Sequence, residues 1–526
     1  MTSPDHTPPD PAAPASTHGD PAGPAQTGPE PAPSAPARRD AEGPAPGGPA
    51  PTCSVPTAAD PASRAPADPG LPSAARRTVL AAALAATVPL LPAAPAAAAR
   101  AAAGQREPRM SPSPRQPRPV DNHFWTTYAD WRSGTGDGTR AVGGGRPGLV
   151  IGAPDGLTAH RDPHTGRTGT YEYAVWTSPL YRTGVPATEI VASWNADTPP
   201  GTWLAVELCA LYTDGSRSPW YVMGRWAAAD TDIRRSSVDG QSDGRSSVST
   251  DTLAVADPAS GIRLTGHRLR VTLHRLPGSG HTPTLWRLGA MASDVPDRFT
   301  VPASAPRRTG ELRVPCLSQE IHVGQYPEYD NGGEAWCSPT STTMVLEYWG
   351  RGPAPQELAW VDPSYADPQV CHAARHTYDH QYKGCGNWPF NAAYAASYPD
   401  MNAVVTRLGS LEDLAVLIRA GIPVTTSQSF RKEELSGAGY GTSGHLLTVV
   451  GFTDAGDVIA NDPAAPTNEA VRRVYRRREF ENVWLRTKRY DARGNVASGT
   501  GGICYLYWPL DATPAQRKAL AAVGVR

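Results

Sequence analysis

The chain has 526 residues and a formal net charge of -1, too long for one ordinary domain and too nearly neutral to hold nucleic acid or an anionic membrane by bulk electrostatics. Its 56 prolines and 51 glycines exceed what a compact protein uses, and most of the proline excess lies in the first 120 residues. A disordered leader ahead of folded domains is therefore expected.

Residues 1–70 are almost entirely Pro, Ala, Gly, Asp, Ser and Thr, and such a tail buries too little apolar surface to offset its ordering entropy. Arg76 and Arg77 then precede an apolar run from Val79 to Leu91 and the small-residue string Ala93 to Ala99. Charge, apolar core and an Ala-x-Ala-like end make 71–103 an export signal, and the paired arginines point to the twin-arginine route. The run is short and alanine-rich for a membrane span, so a cleaved signal, a secreted or wall-associated protein and no stable anchor are expected. A Pro/Arg/Ser linker occupies 104–120.

From 121 to 298, short β-rich runs alternate with turn signals: 171–176, 189–194, 202–212, 220–226, 264–274 and 284–291. Six or more strands without helical periodicity indicate an all-β sandwich, jelly-roll-like. Sandwiches of this kind can bind cell-wall carbohydrate through exposed aromatics such as Trp194, Trp203, Trp220, Tyr221 and Trp226, but alternation with aliphatics places most of these in the core. Asp239, Asp243 and Asp251 lie in a Gly/Ser-rich loop whose spacing matches no known calcium loop.

The region 311–526 reads as α plus β. Cys337 stands directly before Ser338, Pro339 and Thr340, residues suited to a first helical turn, so its thiol sits where unpaired N–H groups and the helix dipole favour thiolate. A lone cysteine there is more often structural, and what shifts the balance lies downstream. Ser410 opens a helix whose apolar face ends at Gly421, and a strand follows over 422–428. Gly444 to Phe452 is a second strand, Asp454 to Asp457 a turn, and Val458 to Asn461 a third strand ending in Asp462-Pro463. In an antiparallel pair this brings His445 and Asp462 to neighbouring ends.

Export leaves six cysteines in an oxidising compartment. Cys371 with Cys385 is the expected bridge, because the loop between them is short and glycine-flanked, and Cys316 with Cys504 is a weaker pairing. Cys371, His372, His376, His380 and Cys385 fit no standard zinc spacing, so no metal and no cofactor are expected. The arginines from Arg472 to Arg478 read as a solvated face.

Four segments taken together, 314–319 (Val-Pro-Cys-Leu-Ser-Gln), 336–341 (Trp-Cys-Ser-Pro-Thr-Ser), 444–451 (Gly-His-Leu-Leu-Thr-Val-Val-Gly) and 461–463 (Asn-Asp-Pro), resemble the papain-like cysteine peptidases of the bacteriocin leader-processing type, family thirty-nine, in an exported, two-domain form of actinobacterial style. The resemblance implies a papain-like α+β domain in which Cys337 is the nucleophile, His445 its base, Asp462 the residue that orients the imidazole and Gln319 the amide donor of an oxyanion hole. Two departures stand out: Trp336 where the family often has glycine, and a longer spacing from Gln319 to Cys337 than in papain. The expected activity is hydrolysis of peptide bonds in a peptide or protein substrate. A cell-wall peptide amidase using the same residues and an inactive surface-binding protein are the alternatives.

Overall fold

The computed structural model describes residues 120–526. The expected tail, the export signal and nearly all of the linker lie outside the described residues.

Each of the six β-rich runs forms a strand: Thr168–Thr177, Glu189–Asp197, Thr202–Tyr212, Tyr221–Trp226, Leu264–Arg275 and Thr284–Ser293. They enter two seven-stranded sheets whose named strands pair antiparallel. Glu189–Asp197 and Thr284–Ser293 lie together in one sheet, and Thr202–Tyr212 pairs with Leu264–Arg275 in the other. Side chains of both sheets, among them Ile190, Leu288, Leu204 and Val271, share one buried cluster, as expected when each sheet hides one face. Trp194, Trp203, Tyr221 and Trp226 are buried, leaving Trp220 partly exposed beneath the Arg270 guanidinium. The acids of the Gly/Ser loop are engaged within the protein: Asp239 accepts from Gln381, Asp243 from Tyr212, and Asp251 from the Trp388 N–H.

The second half is built on a six-stranded antiparallel sheet, in spatial order Met401–Arg407, Ile503–Pro509, Val424–Phe430, Thr442–Phe452, Val458–Asn461 and Arg472–Tyr475. The helix headed by Cys337 runs to Tyr348 and lies close against this sheet through small polar side chains. Ser341 Oγ donates to the Leu446 carbonyl at 3.1 Å, Ser338 meets the Tyr505 hydroxyl at 2.9 Å, and Thr342 meets that of Tyr507 at 3.1 Å. Large residues at these positions would hold the helix off the sheet. Leu411–Arg419 is the expected second helix, capped by Ser410 Oγ, which accepts from the Asp413 N–H.

The two halves share a core. Met401–Arg407 is an edge strand of the six-stranded sheet, and an exposed edge invites foreign pairing. Here the Asn195 amide serves as a substitute strand: its Nδ2 donates to the Ala403 carbonyl at 2.7 Å and its Oδ1 accepts the Ala403 N–H at 3.2 Å. Ser193 Oγ accepts the next N–H on that edge, from Val405, at 3.1 Å. Phe390 from the second half packs edge-on against Trp194 and at a tilt against Trp226 of the first. Sequence patterning, which treats each half alone, contains none of this.

The expected disulfides are corrected. Cys371, Cys385 and Cys504 are free thiols, so neither expected bridge forms. Cys371 Sγ lies against His322 and Gln325, and Cys385 Sγ donates to the Ala374 carbonyl. The two lie in one buried cluster, but their thiols are engaged by different partners. The arginine run is solvated in part, as expected, with Arg476 and Arg478 exposed, while Arg472 grips Glu311 with both arms of its guanidinium and Arg478 also pairs with Glu481 and the Val301 carbonyl.

Candidate active site

Cys337 opens its helix after a short 3-10 turn, Gly333–Ala335, with Trp336 between them. As the first helical residue its N–H has no intrahelical acceptor, and its thiol is free and partly exposed. Trp336 is fully buried, with its Nε1 donating to the Tyr329 carbonyl at 2.6 Å. The bulky residue that departs from the family pattern is therefore the anchor that fixes the helix start.

His445 lies in Thr442–Phe452, which borders the Cys337 helix. Thr448 of that strand pairs with Asn461, with a register shift between Val449 and Gly451. Continuing that register puts Asp462 opposite Leu447, so the carboxylate reaches His445 from just beyond the ladder. It does so at 2.8 Å, Asp462 Oδ1 to His445 Nε2, and the Cys337 thiol is near enough to the imidazole to help raise its pKa. With Nε2 on the carboxylate, Nδ1 is the nitrogen left for the cysteine.

This assembly is almost dry, Asp462 being fully buried and His445 4 % exposed. Burial by itself would push the imidazole toward neutrality, but the Asp462 charge and Cys337 outweigh it and raise His445 from 6.5 to about 10. Burial would likewise raise the Asp462 carboxyl, yet His445 and two tyrosine hydroxyls hold it down at about 2. Those tyrosines, Tyr440 at 2.8 Å and Tyr475, both donate to Asp462 Oδ2, while Oδ1 takes the Ala464 N–H at 3.0 Å as well as the imidazole. Sequence reasoning missed both. Tyr440 stands in a glycine-rich stretch five residues before His445 and Tyr475 on an edge strand; a lone aromatic among glycines was the only signal.

Gln319 is buried just after the irregular segment 312–318. Its Nε2 donates to the Glu334 carbonyl at 2.8 Å and to Glu320 Oε1 at 3.1 Å, and its main-chain N–H donates to the Pro463 carbonyl at 2.9 Å. The residue is thus tied both to the turn before Cys337 and to the turn after Asp462. Burial, the strongest influence, and neighbouring Glu334 raise the Glu320 carboxyl.

The histidines weighed as metal ligands diverge. His372 stacks on His376 and bonds the Tyr394 hydroxyl, while His380 faces His164. Among the described residues no group of three or more His, Cys, Asp or Glu side chains is placed to hold a metal ion, and no helix is long and apolar enough to cross a membrane.

Residues 121–293 match the Peptidase C39 N-terminal domain family, and residues 311–492 match the Peptidase_C39 like family. No curated protein matches the chain. Among solved structures, a Bacillus anthracis protein assigned to the C39-like peptidases is 15 % identical over 38 % of this chain and 98 % of its own, with a TM-score of 0.23. A structure of carbohydrate-binding modules from the beta-sandwich superfamily is 15 % identical over 33 % of this chain and 62 % of its own, with a TM-score of 0.14. Neither superposition is close enough to carry an argument. Residues 121–293 and 311–492, one stretch in each half of the described chain, are thus similar to peptidase C39 domains.

Proposed function

We propose that the chain is an exported cysteine peptidase, a β-sandwich joined to a papain-like domain, that hydrolyses peptide bonds with Cys337, His445 and Asp462. One observation carries this reading: a buried carboxylate on one imidazole nitrogen, with a helix-head thiol beside the same ring. A merely structural cysteine has no need of a buried, charge-stabilised imidazolium beside it.

In this reading Cys337 Sγ attacks the scissile carbonyl carbon, forming the C–S bond, while the Cys337 N–H and Gln319 Nε2 receive the oxyanion. Gln319 exchanges its Glu320 contact for the substrate oxygen. The C–N bond then breaks as the imidazolium gives its proton to the leaving amine. Water attacks the acyl-enzyme, its proton passes to His445, and the thiolate leaves. Asp462 stays ionised throughout and keeps the ring oriented, its second oxygen occupied by Tyr440 and Tyr475.

The test is hydrolysis by the full chain of casein and, separately, of isolated cell wall, each compared with Cys337→Ala. Release of casein peptides that disappears in the variant supports the peptidase. Cleavage restricted to the wall moves the assignment to a wall amidase, and no Cys337-dependent product from either sinks the enzymatic reading.

A further inference from the structure

Between the two halves of the chain lies a cavity of about 610 Å³, within the roughly 300–1,000 Å³ typical of small-ligand sites. The first half contributes Arg167, Asp230 and Arg234, and the second contributes Tyr326, Trp360 and Arg375. Neither half encloses it alone.

Its charge is unbalanced. Asp230 is shared by two guanidinium groups, Arg234 at 2.9 Å and Arg375 at 3.0 Å, and one carboxylate cannot occupy the five N–H donors that each carries. Arg167 has no ion-pair partner among the described residues, and the remaining acid of the lining, Glu328, is exposed. One wall is flat and aromatic: the Arg375 guanidinium lies 4.7 Å over the Trp360 ring, which stands 4.9 Å from Tyr326. Spare planar donors beside aromatic faces suit a carboxylate carried on a peptide.

The arrangement is built in advance of any ligand. Arg235, fully buried, donates to the carbonyls of Ala227, Ala228 and Arg375 at 3.1, 3.0 and 2.6 Å, fastening the loop that bears Asp230 and Arg234 to the helix that bears Arg375. The cavity is also wired to the nucleophile, because Tyr329 lines it and its carbonyl accepts from Trp336, the residue before Cys337.

We propose that this cavity is a substrate subsite for a carboxylate-bearing peptide segment, either an acidic side chain or a chain-terminal carboxylate, and that the first half of the protein thereby contributes specificity. The proposal rests on the peptidase reading only in calling the ligand a substrate.

Binding is measured by isothermal titration calorimetry on the full chain carrying Cys337→Ala, so that no turnover is required. The probes are acetyl-Tyr-Glu-amide, acetyl-Tyr-Gln-amide and acetyl-Tyr-Gln with a free terminal carboxylate. At least one carboxylate-bearing probe should bind tenfold or more tighter than the neutral amide, and which one does so identifies the source. Arg167→Gln, an exposed side chain outside every ion pair among the described residues, should remove most of that preference at an unchanged melting temperature. Equal affinities, no detectable binding of any probe, or a preference untouched by Arg167→Gln would overturn the proposal. Because the assay needs no hydrolysis, a silent cavity and an inactive Cys337 are told apart.

Discussion

Replacing Asp462 by Asn tests the core of the proposed mechanism with little change of shape. The Asp462 carboxylate is the leading influence that raises His445 against the opposing effect of burial, and the imidazole stands at about 10 instead of 6.5. That rise corresponds to roughly 5 kcal/mol in favour of imidazolium. With an amide in place of the charge, the largest influence holding the imidazolium is gone and burial pulls the ring down, so fewer molecules carry the imidazolium at neutral pH. The thiolate of Cys337 loses its counter-ion with it. Iodoacetamide modification of Cys337, located by mass spectrometry across pH 5–9, should therefore be faster in the native chain than in Asp462→Asn. Peptide hydrolysis at pH 7 should fall by about 10²-fold or more. A folded Asp462→Asn protein with the native alkylation profile would refute the reasoning, because the carboxylate would then have no hold on the thiol.

Three further outcomes follow from the same geometry. Tyr440→Phe removes one donor from a buried carboxylate, a hydrogen bond worth about 1.5–3 kcal/mol when one partner is charged. A carboxyl held at about 2 against 3.8 stabilises the fold above its ordinary value and loses that contribution as pH falls through the lowered one. The variant's acid unfolding midpoint, followed by circular dichroism, should accordingly move to higher pH, and an unmoved midpoint would mean the hydroxyl is dispensable. Gln319→Ala should lower kcat by about 10²–10³-fold with KM little changed, and a kcat within threefold of native would remove Gln319 from the oxyanion site. Asn195→Ala leaves the buried N–H and carbonyl of Ala403 without partners, at about 1–3 kcal/mol each. Urea unfolding should register the loss, and a change below about 0.5 kcal/mol would show that water or a shifted strand replaces the amide.

What could be read from the chain alone was what repeats or what is local. The strands at 202–212 and 264–275 declare themselves by β-rich composition bounded by turns, and Cys337 by the residues that start its helix. His445 and Asp462 were legible because a short turn, Asp454 to Asp457, fixes which strand ends meet. The finer register was not: the shift between Val449 and Gly451 leaves no trace in composition, and it sets Asp462 opposite Leu447 instead of Thr448. Tyr475 reaches the carboxylate from a neighbouring strand whose pairing no pattern announces. The expected Cys371–Cys385 bridge failed because nearness in sequence says nothing about direction, and the two thiols face different partners.

The largest omission was the seam between the halves, and its consequence reaches the site. Met401–Arg407 pairs with Ile503–Pro509, which pairs with Val424–Phe430, which carries Thr442–Phe452 and His445. The edge that Asn195 covers therefore lies at one end of the sheet that positions the imidazole. Likewise the Trp388–Ser397 helix, whose Phe390 packs on Trp194 and Trp226, shares a buried cluster with the Cys337 helix. Packed interiors transmit a displacement rather than absorb it, and a sub-ångström misplacement of reacting groups is expensive in rate. The first half thus bears on Cys337 and His445 through the core as well as through the cavity, so loosening the Asn195 contact should cost activity even where the chain stays folded.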